Sequence, residues 1–353
     1  MPNLADLTTL RLGGPAGRFV EVRTEDEAVT AVRDADVAGE PVLVLAGGSN
    51  LIVPDEGFPG TVVHLLTRGV EREGNSFTVQ AGEPWDPFVA ARVEEGLAGI
   101  ECLSGIPGST GATPIQNVGA YGQEVAEVIT SVRVLNRGGG TITELAPEEC
   151  GFSYRASAFK REPGEWVVLA VTFKLEERRD SRPIRYGELA RTLGVELGQG
   201  APLADAREAV LDLRRSKGMV IDPSDPDSVS AGSFFTNSIL DPAHFAQLEE
   251  RVARDLGADA RLPSFPEPDG QVKTSAAWLV ERAGFGRGYG APGPIMVSTK
   301  HSLALTNRGG GTTAELIRLA REIQLGVRKR FCVELTPEPT FVGDGWTAAS
   351  SEA

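Results

Sequence analysis

The hydrophobic pattern changes period along the chain, and the changes mark its elements. Residues 20–66 read as strand, helix, strand. Thr24 and Glu27 form a capping box ahead of a helix with Ala28, Val29 and Val32 on one face. A short apolar run, Val42–Leu45, reads as a buried strand ending in Ala46-Gly47-Gly48-Ser49-Asn50, and another strand covers 61–65. From about residue 70, Phe77 and Val79 alternate with polar neighbours, as in a half-buried strand. A helix follows over 85–93, and strands are expected at 128–135, Thr141–Leu145 and 166–175. The stretch 203–215 puts Leu203, Ala206, Val210 and Leu213 on one helical face. Residues 222–230 are acidic and contain proline, which suits a surface connection. A third block, about 231–330, carries helices near 242–256 and 274–283 and strands near 294–306. In it Thr312 and Glu315 cap a helix with Leu316, Leu319, Ala320, Ile323 and Val327 on its apolar face. A last strand is expected at 331–335, running into Thr336-Pro337-Glu338. No internal repeat is visible. The pattern predicts an α+β protein of three modules.

Composition narrows the function classes. A chain of 353 residues exceeds one ordinary core. Hydrophobic residues at 41% and charged residues at 24% fit a packed globular protein. The formal charge of -14 argues against nucleic-acid binding, which needs clustered Lys and Arg. No apolar run reaches membrane-spanning length. The first residues, MPNLADLTTL, lack the pattern of a secretory signal. Cys102, Cys150 and Cys332 are far apart and odd in number, so a reducing cytoplasmic setting is expected and no metal site. His64, His244 and His301 are too few for a metal cluster, and each is read as structural or exposed.

Two loops carry candidate chemistry. The glycines of 45–50 let backbone amides approach a ligand, although an ordinary turn explains that segment equally well. The segment has neither the lysine of a triphosphate loop nor a dinucleotide GxGxxG. Gly284-Phe285-Gly286-Arg287-Gly288 follows a helix instead of a strand and reads as a flexible loop. The stretch 103–122 is long, weakly periodic and rich in Gly, Ser, Thr and Pro. Loops of that length inside a domain are usually functional or disordered. Two such loops suggest a dinucleotide held between domains, with a plain surface loop as the alternative. Arg155, Ser233 and Glu338 stand alone as reactive candidates; each by itself is more often structural than catalytic.

In their order along the chain, these segments resemble the UDP-N-acetylenolpyruvoylglucosamine reductases over about residues 5–343. Thr8-Thr9-Leu10-Arg11-Leu12-Gly13-Gly14 resembles the family's opening motif. Gly47-Gly48-Ser49-Asn50-Leu51 and Gly105-Ile106-Pro107-Gly108-Ser109 resemble its two flavin loops. Tyr154-Arg155-x-Ser157, Gly232-Ser233-Phe234-Phe235-x-Asn237 and Pro337-Glu338 resemble its catalytic signatures. The resemblance implies three domains: residues 1–68 with 335–353, residues 69–217, and residues 218–334. The first two would form a vanillyl-alcohol-oxidase type (PCMH-type) FAD-binding unit, about 15–180, and the third an α+β substrate-binding domain.

FAD would contact Gly47, Gly48, Ser49, Asn50, Leu51, Gly105, Pro107, Gly108, Ser109, Gly111, Ala112, Gln116, Asn117, Gly119, Ala120, Tyr121 and Gly122. The catalytic residues would be Arg155, Ser233 and Glu338. The substrate would meet Tyr186, Lys217, Asn237 and Lys273, with Glu281 a weaker candidate. Tyr186 lies in Arg185-Tyr186-Gly187-Glu188-Leu189, which resembles the mobile tyrosine loop of the family's longer subtype. The implied reaction takes hydride from NADPH through FAD to UDP-N-acetylglucosamine enolpyruvate, giving UDP-N-acetylmuramate for peptidoglycan. A cytoplasmic monomer is expected, without nucleic-acid partners or membrane insertion. Two departures stand out: Thr236 sits where family members often carry a basic residue, and 284–294 does not align. Rival readings are another flavin oxidase on the same scaffold and a non-catalytic nucleotide-sugar binding protein.

Overall fold

Thr24 starts the first helix, α1 (Glu25–Val37), through a reciprocal cap. Its hydroxyl accepts from the Glu27 amide at 3.2 Å, and the Glu27 carboxylate accepts from the Thr24 amide at 3.3 Å. Two donors that the helix itself cannot satisfy are thereby paired. Ala28, Val29, Val32 and Ala35 are buried. They cover a parallel three-stranded sheet of β1 (Ala16–Val22), β2 (Val42–Leu45) and β3 (Phe58–Leu65), with β3 in the centre. Parallel strands need a crossover, and α1 supplies it.

The computed structural model describes residues 1–343 and Trp346. It divides into two compact units. The first holds residues 1–7, 14–49 and 56–220. Beside the parallel sheet it contains an antiparallel one of β4 (Val70–Glu73), β5 (Ser76–Gln80), β6 (Ile129–Asn136), β7 (Thr141–Leu145) and β8 (Trp166–Lys174). The strand order is β7-β6-β8-β5-β4. Phe77 and Val79 are fully buried between half-exposed neighbours, as the alternation predicts. One core runs from Val29 and Val63 to Phe77, Val132 and Val171. It also buries Trp85, the first residue of α2 (Trp85–Glu94), whose indole N–H donates to the Leu103 carbonyl at 3.1 Å. That bond ties the start of the long loop to the core. Two further helices, α3 (Gly187–Leu193) and α4 (Leu203–Ser216), pack together on this unit.

The second unit holds residues 8–13, 50–55 and the described residues from 221 onward. Its sheet is β9 (Ser230–Ser233), β10 (Ile295–Val297) and β11 (Ala304–Asn307), antiparallel with β11 central. Around it lie α5 (Pro242–Leu256), α6 (Ala276–Arg282) and α7 (Thr313–Phe331), which share a core including Leu248, Leu279, Leu305 and Ile323.

One expectation needs correction. The strand expected at 331–335 is absent: the buried stripe of α7 continues through Val327 to Phe331, so the helix does too. Cys332, left-handed at φ 56°, ends it and returns its amide to the Arg328 carbonyl. Val333 and Leu335 alternate with exposed residues in strand fashion, but no ladder forms beside them. The described part of the tail then packs in the second unit, where Thr340–Phe341 pairs in parallel with Leu51–Ile52. The rest of the tail assigned from sequence to the first domain, Trp346 apart, lies outside the described residues. The boundary drawn at 68/69 falls inside the first unit, because both its sheets share one core. The boundary at 217/218 falls beside the unit break after Val220.

Among the described residues, no helix is long and apolar enough to cross a membrane, and no group of His, Cys, Asp and Glu could hold a metal ion.

Candidate active site

In the first unit, β2 ends in Gly47-Gly48-Ser49, with Gly48 at φ 57°. A Cβ on Gly47 would stand 2.6 Å from the Gly108 Cα, and one on Gly108 would stand 2.5 Å from the Ser49 hydroxyl. The two glycine loops, remote in sequence, therefore touch backbone to backbone. The second loop wraps the start of α2. Trp85 N–H donates to the Gly108 carbonyl at 3.1 Å, and Thr110 N–H to the Glu83 carbonyl at 2.8 Å. Thr110–Ala112 closes as a 3₁₀ turn, with Gly111 pressed against Ala81. Gly105 N–H donates to Asp86 at 2.6 Å, and Arg207 of α4 holds both oxygens of that carboxylate at 2.7 and 3.0 Å. Burial alone would push the Asp86 carboxyl up. The Arg207 and Gly105 bonds outweigh it and hold the carboxyl below its usual range.

Sequence reasoning missed Arg214, in the last turn of α4. It is 8% exposed, its Nε has no hydrogen-bond partner, and a Cβ on Gly105 would lie 3.4 Å from that atom. Burial pulls its pKa down, while Tyr121 and Asp86 oppose the shift. A glycine cradle without room for Cβ atoms, next to a buried guanidinium with an unmet donor, fits a phosphate-bearing dinucleotide such as FAD. No local pattern marked Arg214, because its relation to Gly105 arises from the packing of α4.

The rest of the long loop is pinned to the Arg155 segment. Asn117 is 1% exposed; its amide donates to Glu124 at 2.7 Å and to the Ser153 carbonyl at 3.2 Å. Arg155 donates to the Gly119 carbonyl at 2.6 Å. The Ser157 hydroxyl donates to the Ile115 carbonyl at 2.5 Å. Asn117, Tyr121 and Arg155 have φ of 45°, 49° and 54°, three of the six non-glycine residues with positive φ among those described. Such strain persists only where surrounding structure enforces it, and it concentrates at functional sites.

Tyr186, 42% exposed, stands at the start of α3 with its ring edge-on to Tyr121, centroids 5.4 Å apart. Lys217 follows α4, pairs with Glu188 at 2.6 Å and lies 5.7 Å from the Tyr121 ring. Burial pushes the Tyr121 phenol up to about 12, against the opposing Arg214.

In the second unit, Ser233 ends β9 after a bulge. Ser230 faces Thr306 and Ser233 faces Ala304, and Gly232 between them is at φ 73°. Phe234 and Phe235 are buried beneath. The tail runs alongside: Thr236 N–H donates to the Thr336 carbonyl at 3.0 Å, and Glu338 N–H to the Phe234 carbonyl at 2.8 Å. Ser233 and Glu338, about a hundred residues apart, are thus brought onto adjoining stretches of backbone. Arg155 belongs to the other unit. The Ser233 hydroxyl also lies 3.2 Å from His301 Nε2. Sequence reasoning took His301 as structural or exposed; it is half-buried, against the candidate Ser233.

Asn237 accepts from the Ala276 amide, at the first residue of α6, at 3.0 Å, while Ser275 caps the helix. Lys273 pairs with Glu267, and Glu281 is exposed on α6. Asn50 and Leu51 of the first loop motif belong to this unit, where the Asn50 carbonyl accepts from Thr340 at 2.9 Å. The glycine-rich loop after α6 is tied down: Phe285 is 9% exposed against Tyr289, and Gly288 donates to the Val297 carbonyl.

Comparison with known proteins gives the family. Residues 223–342 match the family model of the UDP-N-acetylenolpyruvoylglucosamine reductase C-terminal domain, and residues 16–146 match that of the FAD binding domain. UDP-N-acetylenolpyruvoylglucosamine reductase of Thermobifida fusca is 55% identical over 345 residues, covering 96% of each chain. That of Streptomyces coelicolor is 55% identical over 341 residues, covering 96% of this chain and 89% of its own. The crystal structure of UDP-N-acetylenolpyruvylglucosamine reductase from Thermus caldophilus superposes with a TM-score of 0.66 at 25% identity, covering 96% of this chain and 97% of that one. By sequence along nearly its full length and by fold, the chain belongs to the UDP-N-acetylenolpyruvoylglucosamine reductase family.

Proposed function

We propose that this chain reduces UDP-N-acetylglucosamine enolpyruvate to UDP-N-acetylmuramate for peptidoglycan synthesis, with NADPH as reductant and FAD as resident cofactor, as a cytoplasmic monomer. The observation that carries the reading is the pairing of the tail with the end of β9: the Glu338 amide donates to the carbonyl of Phe234, the residue after Ser233. The two sheets of the first unit are read as two FAD-binding subdomains, and the second unit as the substrate domain with the returning tail.

When bound, FAD would supply the hydride-transfer chemistry between NADPH and the methylene carbon of the enolpyruvyl group. The residues that would hold it are Gly47, Gly48, Ser49, Asn50 and Leu51, together with the 105–122 loop. That loop contributes Gly105, Pro107, Gly108, Ser109, Gly111, Ala112, Gln116, Asn117, Gly119, Ala120, Tyr121 and Gly122, and Arg214 stands behind it.

Adding hydride to an unsaturated carboxylate drives charge onto the carboxylate oxygens, so a fixed cation or acid is needed there. Arg155 takes that task, because a guanidinium engages two oxygens at once. Glu338 shares it, a task for which the acid form of a carboxyl is better suited than the carboxylate. Ser233 gives its proton to the carbon next to the carboxylate. A serine hydroxyl is a very weak acid, and this role works because the enolate-like acceptor is strongly basic. Lys217 and Lys273 exchange the carboxylates of Glu188 and Glu267 for the substrate diphosphate, Asn237 adds a polar contact, and Tyr186 covers the bound sugar nucleotide.

The direct test is anaerobic. NADPH should bleach the yellow protein, and the enolpyruvyl sugar should then restore the colour and yield the lactyl ether. A protein bleached by NADPH that stays colourless with the sugar, or one that cannot be loaded with FAD, would end the proposal. A second expectation concerns the cradle. Asp86→Ala removes the anchor of the Gly105 amide and leaves Arg207 without its partner. Hydrogen bonds to charged groups contribute about 1.5–3 kcal/mol, so FAD should dissociate roughly tenfold more readily. Fluorescence of released flavin on dilution measures this, and unchanged retention would show that Asp86 does not support the loop.

A further inference from the structure

Ser233 ends a bulged strand, and the bulge sets its hydroxyl toward the turn between β10 and β11. That turn is unusually fixed. Ser298 Oγ accepts from the amides of Lys300 at 3.0 Å and His301 at 3.1 Å, and Ala304 N–H donates to the His301 carbonyl at 3.1 Å. Asp227, 3% exposed, accepts from the Thr299 amide at 2.8 Å, from its hydroxyl at 2.7 Å, and from Arg308 at 2.5 Å. An imidazole carried on a turn whose backbone is held this way, 3.2 Å from a hydroxyl, is placed to act on it.

We propose that His301 is a positioning residue for the reduction step: its Nε2–H donates to Ser233 Oγ and stabilises that oxygen as its proton leaves. The inference rests on Ser233 being the proton donor. In the step, the Ser233 O–H bond breaks as the new C–H bond forms on the carbon next to the substrate carboxylate, and the electron pair of the broken bond stays on Oγ. The His301 hydrogen bond stabilises that charge, and water returns a proton to Oγ after product leaves. A hydroxyl this weakly acidic is helped most by a donor already aimed at the oxygen where charge develops. His301 also fixes the Oγ rotamer, which otherwise has three staggered choices.

The test uses His301→Leu and His301→Gln in the FAD-loaded protein. Stopped-flow absorbance follows the NADPH-reduced protein on mixing with the enolpyruvyl sugar. Removing one aimed donor at a developing oxyanion costs about 10²–10³-fold, so His301→Leu should slow this step by about 10²-fold. His301→Gln, whose amide N–H can replace Nε2–H, should recover most of the rate. Adding His301→Leu to Ser233→Ala should change nothing further. Nitrogen-15 spectra of the imidazoles offer a readout independent of turnover. With three histidines in the chain, the variants assign them. Nε2 of His301 should carry the proton, and its signal should move in Ser233→Ala. If His301→Leu stays within threefold of the parent while Ser233→Ala has lost its rate, the positioning role is wrong and the proton-donor reading survives. An unprotonated Nε2, or a loss in His301→Leu that adds to that of Ser233→Ala, equally overturns it. A Ser233→Ala that keeps its rate removes the proton donor and this proposal with it. Should His301→Leu fail to fold, His301→Gln and the spectra decide.

Discussion

Ser233→Ala is expected to leave bleaching of the flavin by NADPH at its normal rate and to slow reduction of the enolpyruvyl sugar by about 10²–10⁴-fold, the usual contribution of a positioned general acid. The asymmetry follows from where the proton is needed. Taking hydride from NADPH does not call on Ser233, whereas the carbon next to the substrate carboxylate must gain a proton to complete the saturated product. The change removes one oxygen from a half-buried side chain whose backbone is already fixed by Ala304 on one side and, through Phe234, by Leu303 and Glu338. It creates no large cavity, so melting temperature should shift little. Rapid mixing separates the two half-reactions. Equal slowing of both, or a loss under tenfold in the second, would remove Ser233 as proton donor.

Gly47→Ala should yield a folded protein that is purified without its yellow colour. The added methyl would stand 2.6 Å from the Gly108 Cα, 3.0 Å from its carbonyl carbon and 3.2 Å from the Ser109 nitrogen. All three are backbone atoms, so no flexible side-chain end can move aside. The loops must part instead, and overpacking of this kind costs about 1–3 kcal/mol. Even the middle of that range corresponds to more than a tenfold loss of affinity if the strain falls on the FAD-bound form. Gly286→Ala is the control, since its backbone is not left-handed and a Cβ there meets nothing within 4 Å. Flavin content per protein by absorbance, before and after incubation with FAD, gives the answer. A Gly47→Ala protein as yellow as the parent would mean that close contact of the loops is not what holds the cofactor.

Both predictions use residues visible in the sequence, and the reason differs in each case. Gly47 and Gly108 stood out because glycine in such loops permits close backbone approach, although an ordinary turn uses it too. Ser233, Arg155 and Glu338 were ordinary residues taken singly and acquired roles only through resemblance to a family. Arg214 was passed over, and His301 was read as structural or exposed. Neither lies in a pattern of its own: Arg214 reaches Gly105 through the packing of α4, and His301 reaches Ser233 through a bulge opposite a turn. The strand expected at 331–335 failed for a related reason. Alternating burial at Val333 and Leu335 imitates a strand, but strands need ladder partners, and the sequence does not show whether a neighbour is available.

Local physics was therefore decided by the chain itself. The capping boxes at Thr24 and Thr312, the buried alternation at Phe77 and Val79 and the stripe of α7 each depend on contacts within a few residues, and periodicity reports such contacts directly. Tertiary structure alone decided which remote segments share a neighbourhood. It set Gly47 against Gly108, Glu338 beside Phe234, and His301 on Ser233. Those meetings depend on strand order, a bulge and the path of the returning tail, and they come from burying two cores at once instead of from any short stretch of residues.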